Sequence, residues 1–143
     1  MSSVNVGHVT AVILAGGTGS RMCSGITKQR MKLLGISILR RSVLAFEKCD
    51  DITEIVVVAR YDEAESVREE LEDITKLCCV VTGGSTRAES ARRGFSAVSR
   101  QSDYVAFHDA ARPLVTPQMI SEVVKAATKK KRSYSCGTCN RYC

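Results

Sequence analysis

Residues 14–30 are the part of the sequence best suited to phosphate chemistry. They read LAGGTGSRMCSGITKQR, in which the glycines and cations of interest are Gly16, Gly17, Gly19, Arg21 and Lys28. Adjacent glycines let backbone N–H groups approach phosphate oxygens, and the two cations can neutralise phosphate charge. The dinucleotide pattern G-x-G-x-x-G fails at Met22, and the P-loop ending G-K-S/T is absent. The pattern favours phosphate binding, with a glycine-rich turn beside surface cations as the alternative.

A second glycine turn, GGSTRAES at residues 83–90, also follows an apolar run. Ser85 or Thr86 suits the N-cap of a following helix, which is the simpler interpretation of the segment taken alone. Beside the first glycine segment, the same N–H groups and hydroxyls could instead hold a base or a ribose. The sequence leaves both interpretations open.

A third polar segment, HDAARP at residues 108–113, places Asp109 and Arg112 after another apolar run. A carboxylate at this point could take part in holding Mg²⁺ or accept a ribose hydroxyl. The alternative is a turn that Asp109 caps. We expect His108 to pack or to hydrogen-bond locally, without a catalytic role.

The elements that must position these segments alternate along the chain. Apolar runs predict strands, and amphipathic spacing predicts helices. The strands are 9–17, 54–59, 76–84 and 103–113, and the helices are 39–49, 62–74, 85–100 and 116–128. This order predicts an α/β fold: a Rossmann-like, three-layer α/β/α domain with a mostly parallel sheet. Ligands of such sheets bind at the carboxyl ends of the strands, where all three polar segments fall.

Composition and charge narrow the possible partners. The 143 residues carry a net charge of +6, but the tail 129–143 holds five of the 21 lysines and arginines and no acid. The rest of the chain is nearly neutral and shows no basic cluster, which argues against nucleic-acid binding. No apolar run is long enough for a membrane span, and the N-terminus lacks the basic region of a signal peptide. We therefore expect a cytoplasmic protein.

The tail 129–143 differs from the sequence before it. It has no aliphatic residue and no periodicity, and we predict that it is disordered or foreign to a domain covering residues 1–128. Its cysteines, Cys136, Cys139 and Cys143, have no second pair of cysteines or histidines to complete a zinc site. We expect no structural metal.

Four stretches together resemble the 2-C-methyl-D-erythritol 4-phosphate cytidylyltransferase family. They are AVILAGGTGSRM, TKQR, VTGGSTRAES and HDAARPLVTPQMI, in the family's order and spacing over roughly residues 8–128. The related ribitol-5-phosphate cytidylyltransferases share this layout. They usually carry Ser-Val or Gly-Val where this chain has Ala110 and Ala111, so the methylerythritol branch is favoured.

The resemblance implies a step of non-mevalonate isoprenoid synthesis. CMP passes from CTP to the sugar-alcohol phosphate, pyrophosphate leaves, and Mg²⁺ assists, with Asp109 as a candidate metal ligand. Arg21 and Lys28 would stabilise the transition state. The nucleotide-binding residues implied are Ala15, Gly16, Gly17, Thr18, Gly19, Arg21, Lys28, Gly84, Ser85, Ser90, Asp109, Ala110 and Arg112. A phosphate nucleophile is already an anion at neutral pH, so the reaction needs no general base. A plant member could reside in a plastid, but no transit peptide is evident.

The sequence also departs from the family. Thr27 stands where proline is usual, and Arg30 where an aromatic residue is usual, so we expect looser positioning of Lys28. Cys23 and Ser37 replace a usual glycine and a usual proline. The family's longer chains carry their sugar-phosphate contacts and the arm of their homodimer in a later half, which this sequence lacks. We therefore predict a chain that binds a cytidine nucleotide with impaired or no turnover.

Overall fold

The computed structural model describes residues 5–16 and 27–133, with side chains described as far as residue 130. Strands and helices alternate in the predicted order. The strands are β1 (Val9–Ala15), β2 (Lys32–Leu33), β3 (Ile36–Ser37), β4 (Glu54–Ala59), β5 (Leu77–Thr82) and β6 (Tyr104–Asp109). The α-helices are α1 (Ile38–Glu47), α2 (Ala64–Glu70), α3 (Arg87–Ser96) and α4 (Pro117–Ser133), and a 3₁₀ helix spans Lys28–Arg30.

The long strands form a parallel sheet in the order β5-β4-β1-β6. Leu14 of β1 pairs with Val58 on one side and with Asp109 on the other. Every residue of β1 is buried, as expected for a central strand with helices on both faces. These features confirm the predicted three-layer α/β fold.

Two apolar cores lie on opposite faces of the sheet. One joins alternate strand residues such as Ile13 and Val57 to helices α1, α2 and α4. The other joins Val12 and Val58 to the apolar side of α3. The alternation of side chains along each strand therefore divides the strand residues between the two cores.

Helix α3 packs unusually close to the sheet at Gly94. A Cβ atom at this position would lie 2.6 Å from Cγ1 of Val12 and 2.7 Å from Cγ2 of Val58. Only glycine leaves room for both valines. This close approach determines the distance between α3 and the sheet. It also determines the position of the turn that precedes the helix.

Helix α4 differs from the prediction in its buried face and in its end. The apolar spacing of residues 116–128 predicts an inward face made of Met119, Ile120, Val123, Val124 and Ala127. Ile120 and Val124 are buried, but the prediction is wrong for Met119 and Val123, which are 55% and 62% exposed. The buried stripe continues through Thr128 at four-residue spacing, so it is narrower than the run of apolar residues suggested. The helix extends to Ser133, past the expected end at residue 128. The remainder of the predicted tail, 134–143, lies outside the described residues.

A short hairpin between the 3₁₀ helix and α1 was not predicted. Strands β2 and β3 pair Leu33 with Ile36, which leaves Leu34 and Gly35 as a two-residue turn. Both turn residues have positive φ, at 52° and 78°, as a type I′ turn requires. Leucine is rare in that conformation, so the sequence KLLGIS carried little hairpin signal.

Within the described ranges, no helix combines the length and the apolar character needed to cross a membrane.

Candidate functional site

The carboxyl ends of the strands bring the polar segments together at one edge of the sheet. The amide of Gly83 donates to the Ala59 carbonyl oxygen over 2.7 Å. A Cβ atom on Gly16 would lie 3.4 Å from both that oxygen and the Gly83 Cα. The segments after β1 and β5 therefore meet across the end of β4. The predicted convergence of residues far apart in sequence is present here.

The glycine-rich segment is described only at its two ends. Ala15 and Gly16 are buried at the end of β1. The other predicted residues of this segment, Gly17, Thr18, Gly19 and Arg21, lie outside the described residues. Their assignment to a triphosphate remains a prediction.

Lys28 is exposed near the end of β1, between two buried residues, Thr27 and Gln29. The side chains of these two neighbours are each held by a hydrogen bond. The Gln29 side-chain amide donates to the Ala15 carbonyl oxygen over 2.7 Å, in a buried position. The Thr27 hydroxyl donates to a carboxylate oxygen of Glu63 over 3.0 Å. These contacts hold the backbone of the 3₁₀ helix against the first strand and against α2.

The two substitutions that were expected to loosen Lys28 have structural replacements. Thr27 adopts a φ of −68°, the value that proline would impose, and its side chain is held by Glu63. Arg30 forms an ion pair with Glu70, which also accepts a hydrogen bond from Ser37. Polar anchors therefore take over the positioning that we expected proline and an aromatic side chain to provide.

The turn from Gly83 to Ser85 is built on the buried Ser90. A Cβ atom at Gly83 would lie 2.7 Å from the Ser90 Oγ, so glycine is needed there. The Gly84 amide donates to the same Oγ over 3.1 Å. Ser90 is only 2% exposed. The structure thus places this predicted nucleotide-binding residue beneath the turn, where it supports Gly84.

Glu89 and Arg93 hold this turn in place through side-chain hydrogen bonds, which we call the clamp. Neither residue was among the predicted site residues. One Glu89 carboxylate oxygen accepts from both the amide and the hydroxyl of Ser85, each at 2.9 Å. Arg93 donates to the other carboxylate oxygen over 2.8 Å and to the Gly83 carbonyl oxygen over 3.0 Å. The Ser85 amide and hydroxyl, followed by Arg93, hold the pKa of Glu89 below its usual value of 4.5. The signal was present in the capping-box spacing from Thr86, the N-cap of α3, to Glu89, and in the i,i+4 pair of Glu89 and Arg93.

We expect Glu89→Ala to loosen the Gly83–Ser85 turn, because the substitution removes the acceptor for both Ser85 groups. Amide hydrogen exchange at Ser85 should become faster while the core strands stay protected. Since the folded-state pKa of Glu89 is lowered, the clamp holds above pH 4.5 and is lost as the pH falls through that lowered pKa. Glu65→Ala, which breaks the comparable pair with Arg68 on α2, is the matched control. Equal effects of the two variants would contradict the clamp.

The Asp109 segment forms a compact turn after β6. A side-chain oxygen of Asp109 accepts from the Ala111 amide over 3.2 Å, and its carbonyl oxygen accepts from the Arg112 amide over 3.1 Å. Ala110 is fully buried, and its amide donates to the Leu14 carbonyl oxygen. Arg112 is exposed at the edge. Asp109 therefore caps its own turn, as the alternative interpretation of this segment has it, while its other carboxylate oxygen has no hydrogen bond among the described residues.

His108 has the local role that the sequence analysis gave it. Its ring lies against Phe46, with centroids 5.1 Å apart. The Arg112 carbonyl oxygen can only accept, so the Nε2 of His108, 3.0 Å away, carries the proton in this contact. Burial, the largest cause, lowers the pKa of His108 below its usual value of 6.5.

The lowered pKa of His108 predicts a stability that falls in mild acid. Between the folded-state pKa and 6.5 the unfolded chain binds more protons, so the free energy of unfolding should decrease as the pH falls below 6.5. Urea unfolding between pH 7.5 and 5.5 measures this slope. His108→Gln cannot be protonated, and its slope should be smaller over the same range. An unchanged slope would contradict the assignment.

A separate cavity of about 550 Å³ lies away from the strand ends, between the β2–β3 hairpin and the helices α1 and α2. Its lining mixes cations and acids, among them Arg30, Lys32, Arg40, Glu69 and Glu70. The acids are placed to repel an anion, and Glu70 is already paired with Arg30. The strand-end edge therefore remains the better candidate for phosphate binding.

Comparison with known proteins identifies one enzyme family whose sequences match this chain. The profile of the 2-C-methyl-D-erythritol 4-phosphate cytidylyltransferase family, IspD, matches residues 9–136. The enzyme of that name from Lachnoclostridium phytofermentans is 40% identical over 126 residues, which cover 86% of this chain and 53% of the relative. Its counterpart from Caldanaerobacter subterraneus subsp. tengcongensis is 39% identical over 123 residues, with 84% and 54% covered.

A solved structure shares the fold. The 4-diphosphocytidyl-2C-methyl-D-erythritol synthase of Anaerococcus prevotii superposes with a TM-score of 0.76 at 25% identity, covering 88% of this chain and 53% of that one. The chain thus spans about half the length of the relatives it matches.

Proposed function

This chain belongs to the 2-C-methyl-D-erythritol 4-phosphate cytidylyltransferase family, and on that premise we propose that it provides the CTP site for transfer of CMP to 2-C-methyl-D-erythritol 4-phosphate. The observation that carries the proposal is the meeting of the Gly16 and Gly83 segments across the end of β4. A nucleotide laid over this edge would contact the segments after β1, β5 and β6 together.

In the proposed reaction, a phosphate oxygen of the sugar-alcohol phosphate attacks the α-phosphorus of CTP. The bond from that phosphorus to the bridging oxygen breaks, and pyrophosphate leaves. The attacking group is already an anion, so the main difficulty is to hold two polyanions together. Lys28 and Arg21 would supply the positive charge, with Arg112 exposed on the same edge. The anchored backbone around Lys28 suits a cation that must be preorganised.

The turn at Gly84 and Ser85 would hold the cytidine. Its backbone is fixed from below by Ser90 and from the side by Glu89, so the turn is formed before a nucleotide arrives. A preformed turn avoids much of the entropic cost of ordering a loop on binding. The amides of Gly83, Gly84 and Ser85 already donate to Ala59, Ser90 and Glu89, so the turn would recognise the edge of the base through carbonyl oxygens held in one arrangement.

Asp109 is the residue that would bind Mg²⁺ in the proposed reaction. Its carboxylate keeps one oxygen without a hydrogen bond among the described residues, and Mg²⁺ commonly uses one or two carboxylates together with substrate phosphates. The bound ion would neutralise charge on the triphosphate. No group of three or more potential metal-ligating side chains occurs in the described part of the chain, so substrate phosphates would complete the coordination.

We also place the protein in the cytoplasm. Cys49, Cys78 and Cys79 are free thiols, which is typical of a reducing compartment.

Calorimetric titration with CTP, UTP and ATP in the presence of Mg²⁺ tests the nucleotide site. We expect CTP to bind most tightly. A pyrophosphate-release assay with CTP and 2-C-methyl-D-erythritol 4-phosphate then separates binding from turnover. Failure to bind CTP, or equal affinity for CTP and ATP, would overturn the proposed site.

A further inference from the structure

Two adjacent cysteines on β5 occupy an irregular point of the strand. Leu77 pairs with Ile55 of β4, and Cys79 pairs with the next residue, Val56. Cys78 is therefore an extra residue opposite that pair, which is the definition of a β-bulge. Cysteines at this position lie far from the strand-end edge and take no part in the proposed transfer reaction.

The packing of the β5 side chains against the two cores shows the same irregularity of the strand. Leu77 and Val80 pack against the core that contains α1, while Cys79 and Val81 pack against the core that contains α3. Residues two apart in a regular strand share a face, yet Leu77 and Cys79 do not. The bulge at Cys78 absorbs this change of face.

The bulge carries two thiols on consecutive residues at a point of the strand that solvent reaches. Cys78 is exposed, and Cys79 is half-buried beside it. Burial is the largest cause that raises the pKa of Cys79, and the interaction with Cys78 is the next. Adjacent side chains in an unbroken strand would point to opposite faces, so the bulge creates the pair of neighbouring sulfur atoms.

We propose that Cys78 and Cys79 form a dithiol site for trivalent arsenic compounds of the type R–As(OH)₂. Two As–O bonds break and two As–S bonds form. Each thiol proton leaves with a hydroxide as water, so two molecules of water are released. Arsenic stays trivalent throughout, and the step needs neither an oxidant nor a reductant.

This chemistry suits the site better than a divalent metal does. A structural zinc site takes four protein ligands, and the described residues offer no group of three or more histidines, cysteines or acids. Burial and the neighbouring Cys78 raise the pKa of Cys79 to about 11, so a metal would have to displace a firmly held proton. An organic arsenical needs only two sulfur ligands and removes both protons as water.

Intact-mass spectrometry of the full chain with phenylarsine oxide tests the site. The background carries Cys23→Ser, Cys136→Ser, Cys139→Ser and Cys143→Ser, because those four thiols lie outside the described residues and would compete. We expect the folded background protein to retain one arsenical per chain against excess 2-mercaptoethanol and to release it to 1,2-ethanedithiol.

Loss of either thiol should weaken retention about 100-fold, because the second As–S bond forms at the high effective concentration of a linked site. Cys78→Ser is the decisive variant, since an exposed residue can change without loss of the fold, and urea unfolding checks that it has not. Cys49→Ser alters a buried thiol elsewhere and should retain the arsenical as the background does. Unchanged retention by Cys78→Ser, or no retention by the folded background, would overturn the proposal.

Discussion

Replacing Gly94 with valine should destabilise the protein by about 3 kcal/mol, the upper end of the usual cost of overpacking a core. The new Cβ would lie at 2.6 and 2.7 Å from methyl groups of Val12 and Val58, both on the rigid central strands. Neither valine can move without disturbing the sheet, so helix α3 must shift outward. The free energy of unfolding from urea denaturation measures the loss.

Arg92→Val controls for the introduction of a β-branched residue into α3, because Arg92 is exposed on the same helix. Valine has a higher helix propensity than glycine, so propensity cannot explain a loss of stability at position 94. We expect a loss of no more than about 1 kcal/mol there, as for most surface substitutions. Gly94→Val should also weaken CTP binding, since α3 carries Ser90 and Glu89, which support the nucleotide turn. Similar unfolding free energies for the two variants would contradict the tight packing at Gly94.

Replacing Lys28 with methionine should weaken CTP binding about 10- to 100-fold, corresponding to roughly 1.5–3 kcal/mol for a hydrogen bond to a charged group. Methionine keeps most of the length of the side chain and removes its charge together with its hydrogen-bond donors. Because Lys28 is exposed while its neighbours Thr27 and Gln29 are buried and anchored, the substitution should leave the fold intact. Calorimetric titration with CTP measures the change.

Two controls give this experiment its specificity. Lys32→Met removes an exposed lysine of the β2–β3 hairpin, away from the strand ends, and should leave CTP affinity nearly unchanged. Cytidine, which has no phosphate, should bind equally to the parent protein and to the Lys28 variant. Loss of cytidine affinity would mean that Lys28 supports the fold or the base rather than the triphosphate.

Sequence patterns predicted the sheet and the convergence of the glycine segments at its edge, because both follow from local signals. Continuous apolar runs such as EIVVVA form buried strands, and parallel strands bring their carboxyl ends to one edge. The meeting of Gly16 with Gly83 follows from that geometry without any long-range information about side chains.

The details that were missed depend on partners distant in sequence. Thr27 was judged by its lack of a proline ring, but Glu63, 36 residues later, holds its hydroxyl. Arg30 was judged as a charge replacing a packing residue, but Glu70 pairs with it. On α4, the exposed Met119 and Val123 show that apolar character alone does not determine which side of a helix faces the core.

The central place of β1 determines how the chain can fold as it is synthesised. β1 is made first, yet its neighbours in the sheet begin at Glu54 and Tyr104. Until Asp109 has left the ribosome, one side of this apolar strand has no native partner and can pair with another nascent chain. Of the two inner strands in the described sheet, β1 is therefore the one that waits longer during translation for both of its partners.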